Sequence, residues 1–168
     1  MNKKIRIAVL VSGNGTNLQA LINAQKNKII KSGKIELVIS NNSNAFALKR
    51  AEKSKIPFEI ISKKECKKIE EFEKKLKEIL KSYKIELIVL AGFMSVLSKN
   101  FIKDYPKRII NIHPSLIPSF CGKNFYGIKV HEEAIKRGVK ITGATTHFVN
   151  EIIDGGEIIM QKAVKVLD

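Results

Sequence analysis

Three residues in this sequence have side chains of the kinds that acyl transfer uses. Asn111 and His113 close the apolar run "RIINIH" at residues 108–113, where Pro114 ends it, and Asp154 stands before the glycine pair in "NEIIDGGEI". Residues two apart on a strand project to the same face, which places the amide beside the imidazole. An amide can bond an oxyanion without changing charge, and an imidazole can give or take a proton near neutral pH. A carboxylate facing that imidazole favours its protonated form and offers a base for an attacking nucleophile. Buried polar groups cost free energy unless they are bonded, so the trio is either a satisfied structural detail or a site.

A second group lies near the start, in "VSGNGTNLQAL". Gly13 and Gly15 sit between an apolar run and a helical pattern, where glycine lets the backbone approach a ligand closely. Amides at a helix N-terminus attract anions, so Gly15, Thr16 and Asn17 are candidates for holding a phosphate. A nucleotide-binding P-loop needs Gly-Lys-Ser/Thr, which is absent. A dinucleotide fingerprint needs a third glycine where Leu18 stands, and an acidic residue at the end of the second strand, which here reads "SNN". The turn therefore suits the phosphate of a mononucleotide-like ligand. The plainer alternative is a glycine turn whose Thr16 or Asn17 merely caps the helix.

The elements around these residues alternate. "IRIAVLVS" (5–12), "IELVIS" (35–40), "FEIIS" (58–62) and "IELIVLAG" (85–92) read as strands, separated by helical patterns at 17–27, 45–54 and about 67–83. Nearly continuous apolar strands alternating with amphipathic helices predict a parallel sheet covered on both faces, a doubly wound α/β fold. The rhythm then changes. A short helix near "SKNFIKDY" precedes the strand "RIINIH", a loop covers 114–125, and the helix "KVHEEAIKRG" ends at Gly138 as a C-cap. "ITGATTHFVN" and "GEIIMQKAVKV" read as two further strands, which makes the C-terminal half mixed. In open α/β sheets ligands bind at the carboxyl ends of the strands, where the polar candidates collect.

With 168 residues, the chain fits one domain. No apolar stretch reaches the roughly 18 residues needed to span a bilayer, and the cytoplasm is the expected location. Cys66 and Cys121 lie far apart in no metal-ligand spacing, so they read as unpaired thiols and no metal is expected. The net charge of +15 comes mostly from lysines spread along the polar faces of helices. A nucleic-acid binder more often clusters arginine and aromatic residues on one element. Such a field would also steer an anionic small molecule toward a cleft, which fits a phosphate or polyglutamate ligand as well as it fits nucleic acid.

"SGNGTN", "LAGFM", "NIHPSLIPSF" and "THFVNEIIDGGEII" occur together in this order. In these motifs the sequence resembles the folate-dependent, single-domain glycinamide ribonucleotide formyltransferases of purine biosynthesis, from residue 5 to about 166. The resemblance implies formyl transfer from 10-formyltetrahydrofolate to the amine of glycinamide ribonucleotide, without a metal, by a monomer or homodimer. It implies that Gly15, Thr16 and Asn17 hold the substrate phosphate. It assigns the formyl oxygen to Asn111, the oxyanion to His113, proton movement to Asp154 and a supporting place to His147. Met94, Ser95, Val96 and Leu97, with Glu151, Ile152 and Ile153, are implied to line the pterin pocket.

Ser95 stands where some members carry arginine, and Lys67 or Lys68 is the candidate for the folate's glutamate tail. Members usually continue a few tens of residues past "QKAVKV". The expectation is one formyltransferase domain over 1–168 without that extension, its last strand uncovered on one face. Methionyl-tRNA formyltransferases share "NIHPSL" but carry an "RG" motif where this chain reads "PSFCGKN". Formyltetrahydrofolate hydrolases usually add an N-terminal regulatory domain. A basic domain that binds a nucleotide or nucleic acid without chemistry is the remaining alternative.

Overall fold

The computed structural model describes residues 3–62, 66 and 68–167. The chain forms two compact units, Met1–Phe101 and Ile102–Asp168.

The first unit contains β1 (Ile5–Val11), α1 (Thr16–Lys26), β2 (Gly33–Ser40), α2 (Phe46–Lys53), β3 (Phe58–Ile60), α3 (Ile69–Ser82) and β4 (Leu87–Leu90). Its strands lie in the order β3-β2-β1-β4, and every pair is parallel. Ile7, Val9 and Val11 of β1 pack with Leu18 and Ile22 of α1 and with Ala47, Leu48 and Ala51 of α2. Ala8 and Leu10 point to the opposite face and are equally inaccessible to solvent. Burial on both faces is why β1 reads as an unbroken apolar run. The chain steps from β1 to β2 to β3 and then crosses back to β4. Right-handed crossovers therefore place α1 and α2 on one face and α3 on the other. α3 buries Phe72, Leu76 and Leu80, a stripe at four-residue spacing. This is the doubly wound arrangement expected from the sequence, with β3 trimmed to three residues. The winding reverses between β1 and β4, so their carboxyl ends open the crevice where such sheets bind ligands.

The chain passes into the second unit within the short helix α4 (Lys99–Lys103). This unit contains β5 (Ile109–His113), α5 (Ile128–Arg137), β6 (Ile141–Phe148) and β7 (Ile158–Lys165). β6 runs antiparallel to both β5 and β7, the mixed character predicted for this half. α5 ends at Gly138, whose φ of 75° is the left-handed C-cap conformation. All residues of β7 are exposed, including Ile158, Ile159, Met160 and Val164, so its apolar side chains lack cover on both faces. Cys66 and Cys121 are free thiols. Among the described residues no helix is long and apolar enough to cross a membrane.

Candidate active site

The first candidate region is the turn between β1 and α1. Gly15 is the N-cap of α1 with φ 73°, and a Cβ added there would lie 2.6 Å from Ala47 Cβ. Both the backbone conformation and the space demand glycine. No side chain caps α1, and no acidic residue stands in its first turn. Thr16 and Asn17 are thus not capping residues. The first amides of the helix are left for solvent or a ligand, and the helix dipole favours a negative one.

Beside this turn, the segment after β4 is tied down by hydrogen bonds within the first unit. Ser12 N–H donates to Gly92 O (3.1 Å), and Met94 N–H donates to Ser12 Oγ (2.8 Å). Asn41 Nδ2 donates to Ser95 Oγ (2.8 Å), which holds Ser95 inside. Leu97 is buried as well, whereas Met94 and Val96 are exposed. Glu73, which the sequence did not single out, is 5% exposed. It accepts bonds from both Ser98 N–H and Ser98 Oγ, each 2.6 Å, and Ser98 Oγ accepts from Phe101 N–H (3.1 Å). A cavity of about 580 Å³ opens here, lined by Ser12, residues 41–44, Ser62 and Met94.

The second region is built on the β5–β6 ladder. Asn111 is the register partner of His147, and His113 is the partner of Thr145. Directly opposed residues of an antiparallel pair share a face, so all four side chains stand together. His147 Nδ1 lies 2.9 Å from Phe148 O. A carbonyl only accepts, so Nδ1 carries the proton, and in the neutral ring Nε2 is an acceptor. Asn111 Nδ2 lies 3.2 Å from that Nε2. One amide hydrogen is used on His147, and the second is available to another acceptor.

His113 is 4% exposed, with Nε2 2.8 Å from Phe120 O and Nδ1 3.5 Å from Asp154 Oδ2. Both ring nitrogens face acceptors, so a doubly protonated ring satisfies both. Asp154 reaches a second imidazole, with Oδ1 3.6 Å from His147 Nε2, and accepts the Gly122 N–H at 2.9 Å. Burial pushes the Asp154 carboxyl up. The contact with His147, the Gly122 amide and the electrostatic influence of the His113 and His147 rings outweigh burial and hold it below its ordinary value. Burial, and then the Asp154 charge, pushes the Cys121 thiol up.

Asp154 adopts φ 54°, which a short polar side chain tolerates. A Cβ on Gly156 would run into Phe148 O, so this loop needs its glycine. The chain before it carries the predicted folate residues. Ile152 and Ile153 are exposed, and Glu151 pairs with Lys103 at 3.5 Å. Lys68 is the N-cap residue of α3, while Lys67 lies outside the described residues. Sequence reasoning missed the Phe120 carbonyl, the Gly122 amide and Thr145. Thr145 Oγ1 donates to Ser115 O (2.7 Å) and accepts from Ile117 N–H (3.1 Å), fastening the loop after β5.

A protein-family model described as "Formyl transferase" matches residues 5–168. The chain belongs to the formyl transferase family. Within the family, it is 45% identical over 163 residues to the trifunctional purine biosynthetic protein adenosine-3 of Gallus gallus. That match covers 97% of this chain but only 16% of the chicken protein. The phosphoribosylglycinamide formyltransferase of Haemophilus influenzae is 41% identical, over 96% of this chain and 73% of the bacterial one. The crystal structure of glycinamide ribonucleotide transformylase 1 from Symbiobacterium toebii superposes with a TM-score of 0.90 at 38% identity. It covers 98% of this chain and 75% of that structure. The formyl transferase fold is thus shared along nearly the whole chain.

Proposed function

We propose that this chain transfers a formyl group from 10-formyltetrahydrofolate to the amine of glycinamide ribonucleotide, a reaction of purine biosynthesis. The observation that carries this reading is the meeting of one amide, two imidazoles and one carboxylate on the β5–β6 face. That set matches the needs of addition to a carbonyl followed by collapse.

The amine nitrogen attacks the formyl carbon, and the carbonyl electron pair moves onto oxygen. The free hydrogen of Asn111 Nδ2 bonds this developing oxyanion. The charged His113 ring stabilises it, reaching it directly when Nε2 exchanges the Phe120 carbonyl for the substrate oxygen. Asp154, kept ionised, takes the proton from the attacking nitrogen, through a water where the geometry requires one. The intermediate then collapses. The bond from the formyl carbon to N10 of the folate breaks, and the proton is delivered to N10. His147 keeps Asn111 turned with its nitrogen toward the substrate. The amides of Gly15, Thr16 and Asn17 hold the acceptor's phosphate. Met94 to Leu97 belong to the folate's binding surface, with the exposed Met94 and Val96 making contact and the buried Ser95 and Leu97 shaping the segment. Glu151, Ile152 and Ile153 are assigned to the folate as well.

The test is product formation. Purified protein given both substrates yields formylglycinamide ribonucleotide by mass spectrometry, with one tetrahydrofolate released per product. A folded protein that releases formate at the same rate without the acceptor overturns the reading in favour of a hydrolase. One that turns over neither substrate but binds duplex DNA only at low salt favours the non-catalytic alternative.

A further inference from the structure

We propose that Arg50 of α2 is the positioning residue of the anion-binding turn, setting affinity for the phosphorylated acceptor without touching it. This rests on the reading of that turn as the phosphate subsite. A stretch containing two glycines and no side-chain cap has many backbone conformations open to it. Tight anion binding requires its amides to be aimed before the ligand arrives.

Two hydrogen bonds from α2 provide that aim. Ala47 N–H donates to Gly13 O (3.1 Å), and Arg50 Nε donates to Asn14 O (2.8 Å). In a planar trans peptide the N–H points opposite to the carbonyl. Drawing these two carbonyls toward α2 turns the Asn14 and Gly15 N–H groups away from it, outward from the braced side of the turn. The seating is close, since Gly15 packs on Ala47 with no room for a Cβ and on Arg50 Cδ at 3.4 Å from where one would sit.

Arg50 is itself held from two further sides. Its Nη1 donates to Gln19 Oε1 of α1 (3.2 Å), and its guanidinium carbon lies 5.0 Å from the centre of the Phe46 ring. One planar fork thus joins the turn, α1 and α2, and leaves a positive charge behind the anion's seat. Lysine keeps the charge but has neither the fork nor the stacking plane.

The test compares Arg50→Lys and Arg50→Gln with the wild type. Acceptors are glycinamide ribonucleotide and its dephosphorylated ribonucleoside, and inorganic phosphate is titrated against the backbone amide NMR signals of Asn14 and Gly15. Both variants are expected to raise KM for the ribonucleotide about tenfold, with kcat within about twofold, and to weaken phosphate binding about tenfold. KM for the ribonucleoside and for the folate stays at the wild-type value. Wild-type KM in Arg50→Lys overturns the proposal, because charge alone then suffices. So does an equal loss with both acceptors, which marks a general structural defect. If the wild type does not formylate the ribonucleotide, the functional reading fails and the titration still decides. Saturable shifts at Asn14 and Gly15 that weaken in both variants support the positioning role, and their absence overturns it.

Discussion

Asp154 Oδ2 lies 3.5 Å from His113 Nδ1, and the two side chains are 9% and 5% exposed. The carboxylate is the hub of the cluster, because its other oxygen faces His147 at 3.6 Å. Asp154→Asn preserves shape and removes the charge. Formyl transfer is expected to fall about 10²- to 10³-fold with the fold intact by circular dichroism. A loss below tenfold would remove Asp154 from the mechanism.

In the proposed mechanism Asn111 and His113 act on the same developing charge, so their losses should not add. Asn111→Ala and His113→Ala are each expected to lower kcat about 10²-fold or more, and the double variant to be little worse than the poorer single one. Single-turnover rates on all four proteins check this. Fully multiplicative losses would mean that the two residues serve separate steps.

The depressed Asp154 carboxyl also makes a statement about acid stability. A group held below its unfolded value stabilises the fold above about pH 5, and the contribution is lost as the pH falls through the native value. Urea midpoints of the wild type should therefore decline from about pH 5 to pH 3 more steeply than those of Asp154→Asn. Parallel declines would contradict the assignment.

Gly15 and Gly13 make a matched pair for the turn. Gly15→Ala meets Ala47 and carries a left-handed φ, whereas a Cβ on Gly13 meets nothing within 4 Å. Gly15→Ala should cost roughly 1–3 kcal/mol of stability, and Gly13→Ala about 0.5 kcal/mol or less. Chemical denaturation measures both.

Glu73 supplies the fifth test. Glu73→Ala strips the acceptor from Ser98 N–H and Oγ, which should cost about 2 kcal/mol. Glu73→Gln keeps one acceptor oxygen and should lose less, as read from the same unfolding curves.

The alternation of elements, the Gly138 cap and the two candidate groups were legible because each is written locally. An apolar period, a glycine between strand and helix, and a polar pair ending a strand can all be read in a few residues. The bonds that finish the regions were not legible. Glu73 reaches Ser98, Arg50 reaches Asn14, and His147 reaches Asn111 only after distant segments are packed together. Glu73 looked like one more charge on an amphipathic helix, and Arg50 like one more base on a lysine-rich surface. The Phe120 and Gly122 contacts use main-chain atoms, which carry no residue-specific signature.

The pairing of Asn111 opposite His147 has a consequence for anyone who would rebuild this chemistry. Sliding β5 by a single residue would turn both Asn111 and His113 to the far side of the sheet. What must be transplanted into a new scaffold is therefore two aligned ribbons of main chain, and a copy of the side chains alone would arrive out of step.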